Sequence, residues 1–348
     1  MNVIQFPALG LEFTINRVAF TLLGVDVYWY GIILATGLLL GMVFAFHYAS
    51  DFGIDSDRLV DVVFIGTIMA IICARIYYVA FVPYDYSSIW EMLGIRDGGI
   101  GIYGALVGAF VFGGLACRWR KIPLLATFDL VSMGFLIGQG IGRWGNFVNQ
   151  EAFGTNTTLP WGMYSQATAS YLASHQELLA QEGMMVNPSL PVHPTFLYES
   201  ITCLAGFLIF WALMKKRRYN GQLFVWYLIW NGANRFWIEG LRTDSLMFSV
   251  ELNLRSSQVL ALGMVLFGIV VEIYMRRKGK GQLQVPLAIS SAALKKLAGK
   301  EETTEFVHAS LPASASHKEF VSATAEMNES ILKDNIEQEE PDDGSSED

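Results

Sequence analysis

Residues 134–154 read GFLIGQGIGRWGNFVNQEAFG, an apolar, glycine-rich stretch that ends in an arginine, two asparagines, a glutamine and a glutamate. Gly134, Gly138 and Gly142 recur every four residues, which lets a neighbouring helix approach one face closely. Gly145 then interrupts the helix beside Arg143, and irregular backbone at membrane depth is tolerated only against protein or water. The stretch therefore predicts a membrane helix that ends at a polar site.

The composition extends this prediction to the whole chain. Of its 348 residues, 53% are hydrophobic and only 16% are charged. The apolar residues form blocks of about 20, the length that spans a bilayer as a helix, and no alternating strand pattern competes with them. We predict an all-α integral membrane protein with a seven-helix transmembrane catalytic domain over residues 27–275. The predicted spans are residues 27–49, 59–81, 98–119, 125–147, 193–214, 221–242 and 256–275.

The positions of lysine and arginine predict the orientation of these spans. Cytoplasmic loops carry an excess of both residues, and three basic clusters follow the third, fifth and seventh blocks. The loop of residues 148–192 has no lysine or arginine. The N-terminus is therefore predicted outside, with residues 1–26 as an external interfacial segment, and the C-terminus in the cytoplasm. The basic clusters are Arg118, Arg120 and Lys121; Lys215, Lys216, Arg217 and Arg218; and Arg276, Arg277, Lys278 and Lys280.

Two segments outside the spans have distinct predicted characters. Residues 148–192 include ATASYLASHQELLAQEG, which is typical of an amphipathic helix, and we expect a small extracytoplasmic head that either engages a substrate or serves as a lid or spacer. Residues 276–348 are basic and then acidic. Because residues 300–348 hold 14 acidic and 3 basic side chains, this tail accounts for the net charge of −8. We predict a disordered cytoplasmic extension without a catalytic part.

Several classes of site are not expected. Cys73, Cys117 and Cys203 lie in apolar blocks without CxxC spacing and are predicted to be small hydrophobic residues. No histidine pair has metal-ligand spacing, so no metal is expected. No phosphate-binding loop or dinucleotide fingerprint occurs either, and we expect no cofactor.

Charged residues inside predicted spans are costly and require a partner, water or a function. By the predicted orientation, Arg75, Arg143 and the trio Arg235, Glu239 and Arg242 all lie toward the outer leaflet. The trio has the spacing i, i+4 and i+7, which predicts one helical face with a surplus positive charge. It is either an ion-pair ladder that stabilises the bundle or an anion site, since guanidinium groups bind phosphate with two hydrogen bonds.

Five motifs have an order and spacing that cover about residues 25 to 275. They are GRWGNFVNQEAFG at residues 142–154, HPTFLYE at 193–199, RFWIEGLRTD at 235–244, WYG at 29–31 and GGIGIYGALVG from residue 98. Together they resemble the motifs of the bacterial prolipoprotein diacylglyceryl transferases. The resemblance implies transfer of the diacylglyceryl group of phosphatidylglycerol to the thiol of the lipobox cysteine of a prolipoprotein, in the bacterial cytoplasmic membrane.

The resemblance also implies roles for individual residues. The bond that breaks joins a glycerol carbon to a phosphate oxygen, so the leaving group is an anion. We expect Arg143 and Arg235, with Asn146, to hold the phosphate and stabilise the developing charge. Glu151 and Glu239 are expected to orient the arginines.

Five further positions are assigned to the same site by the resemblance. Tyr103 stands where many members have histidine, a proposed base for the thiol. A phenol with a pKa near 10 is a poor base. Tyr103 therefore either binds and positions lipid, or serves as an aromatic anchor at the membrane interface, and the base either is not needed or is another residue. Arg242, Gly154, Tyr30 and His193 are expected to bind phosphatidylglycerol. Tyr30 could equally belong to an aromatic belt, and His193 could equally cap the fifth span.

Two residues and two rival functions complete the predictions. Tyr198 and Glu199 lie on the first turn of the fifth predicted span and are expected to brace the site. A transporter is one rival, because intramembrane charges often mark a permeation path, but the sequence has no internal repeat. The other rival is a different lipid-headgroup enzyme that uses the same phosphate site with another acceptor.

Overall fold

A computed structural model of the chain describes residues 2–82, 86, 88–94, 99–244, 247–249 and 254–278. Helices predominate in these ranges, and short antiparallel strands accompany them. The helices are α1 Trp29–Tyr48, α2 Ser56–Phe81, α3 Ile89–Leu93, α4 Ile102–Trp119, α5 Leu124–Asn149, α6 Gln166–Ser174, α7 Gln176–Gln181, α8 Thr195–Leu213, α9 Gln222–Glu239 and α10 Ser256–Lys278. The strands are β1 Asn2–Phe6, β2 Leu11–Ile15, β3 Val18–Leu22, β4 Val25–Tyr28, β5 Tyr164–Ser165, β6 Met247–Ser249 and β7 Leu254–Arg255.

A long helix occupies each of the seven predicted blocks. Among the described residues, six of these helices, α1, α2, α4, α5, α8 and α10, are long and apolar enough to cross a membrane. Large apolar side chains such as Leu39, Phe64 and Val107 are exposed on their surfaces, as expected of helices that face lipid. The remaining helix, α9, carries glutamine, asparagine, arginine and glutamate among its 18 residues. Its membrane-spanning character stays a prediction.

The glycines that recur every four residues on α5 pack closely against a neighbouring helix, as predicted. Gly134 and Gly138 face Gly41 and Gly37 of α1. A β-carbon at Gly37 would lie 3.1 Å from the carbonyl oxygen of Gly138, and one at Gly41 would lie 3.0 Å from that of Gly134. The two backbones are therefore in direct contact, which only glycine permits on both sides. This contact fixes α1 beside α5.

Helix α4 packs on α2 in the same way, through Gly104 and Gly108. A β-carbon at Gly104 would lie 2.3 Å from the carbonyl oxygen of Cys73, and one at Gly108 would lie 2.6 Å from that of Met69. The helix begins at Ile102, a few residues after the approximate start that the sequence predicted at residue 98. All three cysteines are free, as expected for small hydrophobic residues.

The N-terminal segment contains strands, which the all-α prediction missed. Strand β1 lies between β2 and β5 in an antiparallel sheet, and β3 pairs with β4 in a hairpin. In the register, Ile4 faces Phe13 on one side and Ser165 on the other. Ile4 is fully buried, so this segment is a structural part of the protein.

Residues 148–192 form a compact unit with this sheet. The predicted amphipathic helix is present as α6 and α7, which are separated at His175. Its apolar face joins a second hydrophobic core, which also includes side chains from α5 and α8. The buried members of this core are Ile4, Phe6, Phe147, Phe153, Met163, Leu172, Leu179, Val186, Val192 and Phe196.

A buried carboxylate fixes the start of α9. Asp129 on α5 is fully buried and accepts hydrogen bonds from the backbone N–H groups of Gly221 at 2.8 Å and Phe224 at 3.0 Å. These N–H groups have no helical partner at an N-terminus, and the carboxylate satisfies them. Residues 279–348, which include most of the predicted tail, lie outside the described residues.

Candidate active site on helices α5, α8 and α9

Two arginines from different helices meet at one glutamate. The Arg143 Nε atom near the end of α5 forms an ion pair with Oε2 of Glu199 near the start of α8. The Arg235 Nη1 atom near the end of α9 lies 3.4 Å from Oε1 of the same carboxylate. Helix α8 is antiparallel to α5 and α9, so its start lies beside their ends and the three side chains lie at the same depth in the bundle. The predicted gathering of Arg143 and Arg235 is therefore present in the structure.

A second glutamate holds Arg235 from its own helix. The Arg235 Nε atom lies 3.0 Å from Oε2 of Glu239, one turn further along α9. The carboxylates of Glu199 and Glu239 are only 8% and 5% exposed, whereas the side chains of Arg143 and Arg235 are 27% and 35% exposed. The guanidinium groups thus form the accessible layer of the cluster, and the carboxylates lie behind them.

The predicted surplus of positive charge is not found at this cluster. The prediction counted Glu239 as the one carboxylate between Arg235 and Arg242. In the structure, Arg242 pairs with Asp244, and Glu199 contributes a second carboxylate, so the positive charges of Arg143 and Arg235 are matched by two negative ones. Glu199 was expected only to brace the site, because no spacing rule connects residue 199 to residues 143 and 235.

Asn146 extends the cluster along α5. The Arg143 Nη1 atom donates to Oδ1 of Asn146 at 3.4 Å, and Nδ2 of Asn146 donates to Oε1 of Glu151 at 3.0 Å. Asn149 donates to the same Glu151 oxygen at 3.3 Å. Glu151 was expected to orient an arginine directly, but its described contacts are with the two asparagines. It acts on Arg143 through Asn146.

Arg242 does not lie on the helical face that its spacing predicted. Helix α9 ends at Glu239, and residues 241–243 instead bond to the backbone of residues 153–155, with Gly154 opposite Arg242. The Arg242 side chain forms two hydrogen bonds with the carboxylate of Asp244, at 2.9 and 2.7 Å. Burial opposes the charged form of Asp244, but the Arg242 guanidinium outweighs it and lowers the pKa of Asp244.

Gly154 lies where three chain segments meet. A β-carbon at this position would lie 2.8 Å from the β-carbon of His193 and 2.9 Å from the carbonyl oxygen of Leu241. The Gly154 N–H donates to the carbonyl oxygen of His193 at 2.9 Å, and Thr155 N–H donates to that of Leu241 at 2.8 Å. Gly154 therefore permits close packing of the loop after α5 against the segments before α8 and after α9.

His193 belongs to a chain of aromatic side chains at the edge of the site. Its Nδ1 atom lies 3.1 Å from the hydroxyl of Tyr198, which accepts a hydrogen bond from Trp161 Nε1 at 2.8 Å. The Tyr198 ring stacks on Trp237 of α9, with centroids 6.0 Å apart. Burial lowers the pKa of His193, so its neutral form is favoured. The histidine thus connects the head unit to α8 and α9.

Comparison with known proteins identifies the family of this chain. The sequence profile described as prolipoprotein diacylglyceryl transferase matches residues 17–274. The chain belongs to this prolipoprotein diacylglyceryl transferase family. Its apolar helices and bacterial relatives assign it to the multi-pass proteins of the bacterial cytoplasmic membrane.

Three curated relatives show how much of the chain this family covers. The phosphatidylglycerol–prolipoprotein diacylglyceryl transferase of Clostridioides difficile strain 630 is 39% identical over 269 residues, which cover 77% of this chain and 98% of the relative. That of Bacillus cereus strain B4264 is 39% identical over 267 residues, or 76% and 94%. That of Bacillus anthracis strain CDC 684 is 40% identical over 274 residues, or 78% and 96%. The chain therefore spans nearly the whole length of each relative.

Tyr30 and Tyr103 differ in their positions relative to the site of this transferase. The Tyr30 ring packs on Gly145, where a β-carbon would lie 2.4 Å from the ring, so Tyr30 covers α5 beside Arg143. Tyr103 is exposed near the start of α4, and its ring centroid lies 6.2 Å from that of Tyr77 on α2. Among the described contacts, none joins Tyr103 to Arg143. The structure thus brings Tyr30 to the cluster but not Tyr103.

The described hydrogen bonds of Arg75 are with backbone groups, and none of them joins it to the arginine cluster of the transferase. Its guanidinium donates to the backbone carbonyl oxygens of Met92, Glu91 and Gly99 at 2.7, 2.7 and 2.8 Å. These bonds tie the end of α2 to the connection before α4. We found no group of three or more histidine, cysteine, aspartate or glutamate side chains suited to a metal among the described residues.

Proposed function

We propose that this chain transfers the diacylglyceryl group of phosphatidylglycerol to the thiol of a lipobox cysteine, with Arg143 and Arg235 as the phosphate-binding residues. The names of the relatives above state a diacylglyceryl transfer that involves phosphatidylglycerol and a prolipoprotein. The observation that supports the site is the convergence of both guanidinium groups on Glu199. In this reaction a thioether forms, glycerol phosphate leaves, and lipoprotein maturation begins.

The positive charges of the two arginines match the negative charge that develops as the bond breaks in this reaction. The carbon–oxygen bond between the diacylglycerol carbon and the phosphate opens as the sulfur attacks, and negative charge collects on the departing phosphate oxygen. Arg143 and Arg235 present partly exposed N–H donors to that oxygen from fixed positions, and such preorganised donors stabilise developing charge. Asn146 is held by Glu151 and supplies another polar group beside Arg143.

The proposed reaction requires a thiolate as the nucleophile. A free cysteine has a pKa of about 8.5, so about a tenth of it is ionised at pH 7.5. Nearby guanidinium groups increase this fraction, because they favour the charged form. Tyr103 is not required as a base in this scheme. The thiol proton passes to solvent or to the phosphate that leaves.

We further propose a seven-span topology with the N-terminus and the head outside. The charge distribution of the loops supports it, because residues 148–192 have no lysine or arginine, whereas a basic cluster follows α8. In this topology the ends of α5 and α9 and the start of α8 lie in the outer leaflet. The arginine cluster then lies at the depth of the phosphatidylglycerol headgroups, beside secreted prolipoproteins.

The activity can be tested with the purified protein in phospholipid nanodiscs. The sample would receive phosphatidylglycerol and a lipobox peptide, and the peptide mass would be measured. We expect the mass of one diacylglyceryl group to be added, and no addition with a cysteine-to-serine peptide. An unchanged peptide together with intact lipid would contradict the activity. Consumption of phosphatidylglycerol without a modified peptide would indicate a different acceptor.

A further inference from the structure

Glu199 has an unusual position for a residue outside the motif that contains Arg143. Its side chain is almost fully buried, and its two carboxylate oxygens contact two different arginines. Each arginine also has a second partner, Asn146 for Arg143 and Glu239 for Arg235. Within the part of the chain that the structure describes, Glu199 alone joins the two guanidinium groups, so it occupies the space between the proposed phosphate ligands.

A carboxylate and a phosphate offer arginine the same kind of contact. Both are anions whose oxygens accept paired N–H donors from the guanidinium plane. A guanidinium group has five donors, and those of Arg143 and Arg235 are partly exposed beside the buried Glu199. A phosphate that approaches from the exposed side therefore reaches the same two cations that Glu199 already contacts.

We propose that Glu199 is an internal competitor of the lipid phosphate. Its carboxylate holds both arginines before the lipid binds, and it returns to them after the reaction to expel glycerol phosphate. This proposal rests on the function proposed above. The phosphate of phosphatidylglycerol displaces the carboxylate from at least one arginine. Glu199 acts through the arginines and is a positioning residue.

The charges in the reaction explain why a competitor is useful. In the cluster, Arg143 and Arg235 are balanced by Glu199 and Glu239. Phosphatidylglycerol brings one negative charge, whereas glycerol phosphate carries nearly two at neutral pH, because the second pKa of a phosphate monoester is about 6. The product is therefore held more tightly than the substrate by the arginines alone. A buried carboxylate that repels it and takes its place accelerates its release.

The test is product inhibition of the full-length protein by added glycerol phosphate. Glu199→Gln keeps the shape of the side chain but removes its charge. We expect the inhibition constant of glycerol phosphate to fall about tenfold, the factor for one hydrogen bond to a charged group, and kcat to fall as product release slows. Glu272→Gln is the matched control, because Glu272 pairs with Arg276 at the other end of the bundle. It should leave the inhibition constant unchanged.

Three results separate this proposal from its alternatives. A higher or an unchanged inhibition constant in Glu199→Gln would overturn it, because a purely structural brace would weaken the arginine site when lost. If Glu199→Gln does not fold, Glu199→Asp decides, since its shorter side chain cannot span both arginines and should also lower the inhibition constant. Failure of the wild-type protein to modify the peptide refutes the proposed function instead, and direct binding of glycerol phosphate then tests Glu199 independently.

Discussion

Arg143 and Arg235 lie on different helices, 92 positions apart in the chain, and both contact the carboxylate of Glu199. Their relative position is therefore set by tertiary packing of α5, α8 and α9. Glu199 lies on α8, which comes between α5 and α9 in the chain, and its side chain is buried behind both arginines. Any change in how these helices pack alters the geometry of the cluster, even where the arginines themselves are unchanged.

Replacement of Arg143 by lysine should reduce turnover about 100-fold. Lysine keeps the positive charge but loses the planar pair of donors, and removal of one donor to a developing anion costs about this factor. Turnover would be measured by peptide mass, with Arg120→Lys as the control, because Arg120 pairs with Asp61 away from the cluster. Near-normal turnover in a folded Arg143→Lys protein would contradict the role of Arg143.

Replacement of Tyr103 by phenylalanine should leave turnover within about threefold of wild type, less than about 1 kcal/mol in the barrier. The Tyr103 ring lies against Tyr77, and no hydrogen bond of its hydroxyl is found among the described residues. The rate would be measured from pH 6 to pH 9. A loss of more than tenfold, or a shift of the pH profile, would show that the hydroxyl takes part in the reaction.

A methyl group at Gly41 should separate α1 from α5. Its β-carbon would meet the backbone carbonyl of Gly134 at 3.0 Å, and backbone atoms cannot move aside as a side chain can. We expect Gly41→Ala to lower the free energy of unfolding by about 1–3 kcal/mol. Thermal unfolding in nanodiscs would measure it. Gly113→Ala is the control, because no described atom beyond the neighbouring backbone of its own helix lies within 4 Å of the corresponding β-carbon. Equal losses in the two variants would argue against the close contact.

Asp129→Asn should destabilise the protein through the start of α9. Both carboxylate oxygens accept backbone N–H groups, and the amide of asparagine would turn a donor toward one of them. The expected loss is about 1–3 kcal/mol, as for a buried donor left without a partner. The unfolding temperature would be compared with that of Asp61→Asn, which breaks an exposed ion pair. A smaller effect at Asp129 than at Asp61 would exclude the capping role.

His193 should make the protein less stable in mild acid. Burial lowers its pKa in the folded state, whereas the unfolded value is about 6.5. Below pH 6.5 the unfolded chain therefore binds more protons, so stability falls as the pH drops toward the folded pKa. Unfolding temperatures at pH 7.5 and 5.5 would be compared for wild type and His193→Gln. The variant should lose less stability over this interval, and an equal loss would assign the effect to other groups.

Most of the helices could be predicted from the sequence, because blocks of about 20 apolar residues have few alternatives in a membrane. The strands could not, because runs of five residues such as LEFTI at β2 and VAFTL at β3 are too short to stand out beside the helical blocks. The available signal was two glycines at turns with positive φ: Gly10 directly precedes β2, and Gly24 lies between β3 and β4.

The candidate site was predicted in part for a similar reason. Arg143, Asn146, Arg235 and Glu239 belong to polar runs in apolar surroundings, so the sequence marked them. The placement of Arg242 on the helical face of Arg235 and Glu239 was wrong, because the bonds of residues 241–243 to residues 153–155 replace a further helical turn after Glu239. Such competition between local and tertiary bonds is not encoded in a spacing of i+7.

The sheet of the head unit imposes an order on biogenesis. Strand β1 is synthesised early, but its partner β5 at residues 164–165 follows about 160 residues later, which corresponds to about 10 to 30 s of translation. During this interval Ile4 has not reached its buried position, and one edge of the strand is unpaired. The first four long helices, α1, α2, α4 and α5, are therefore synthesised before the sheet can be completed.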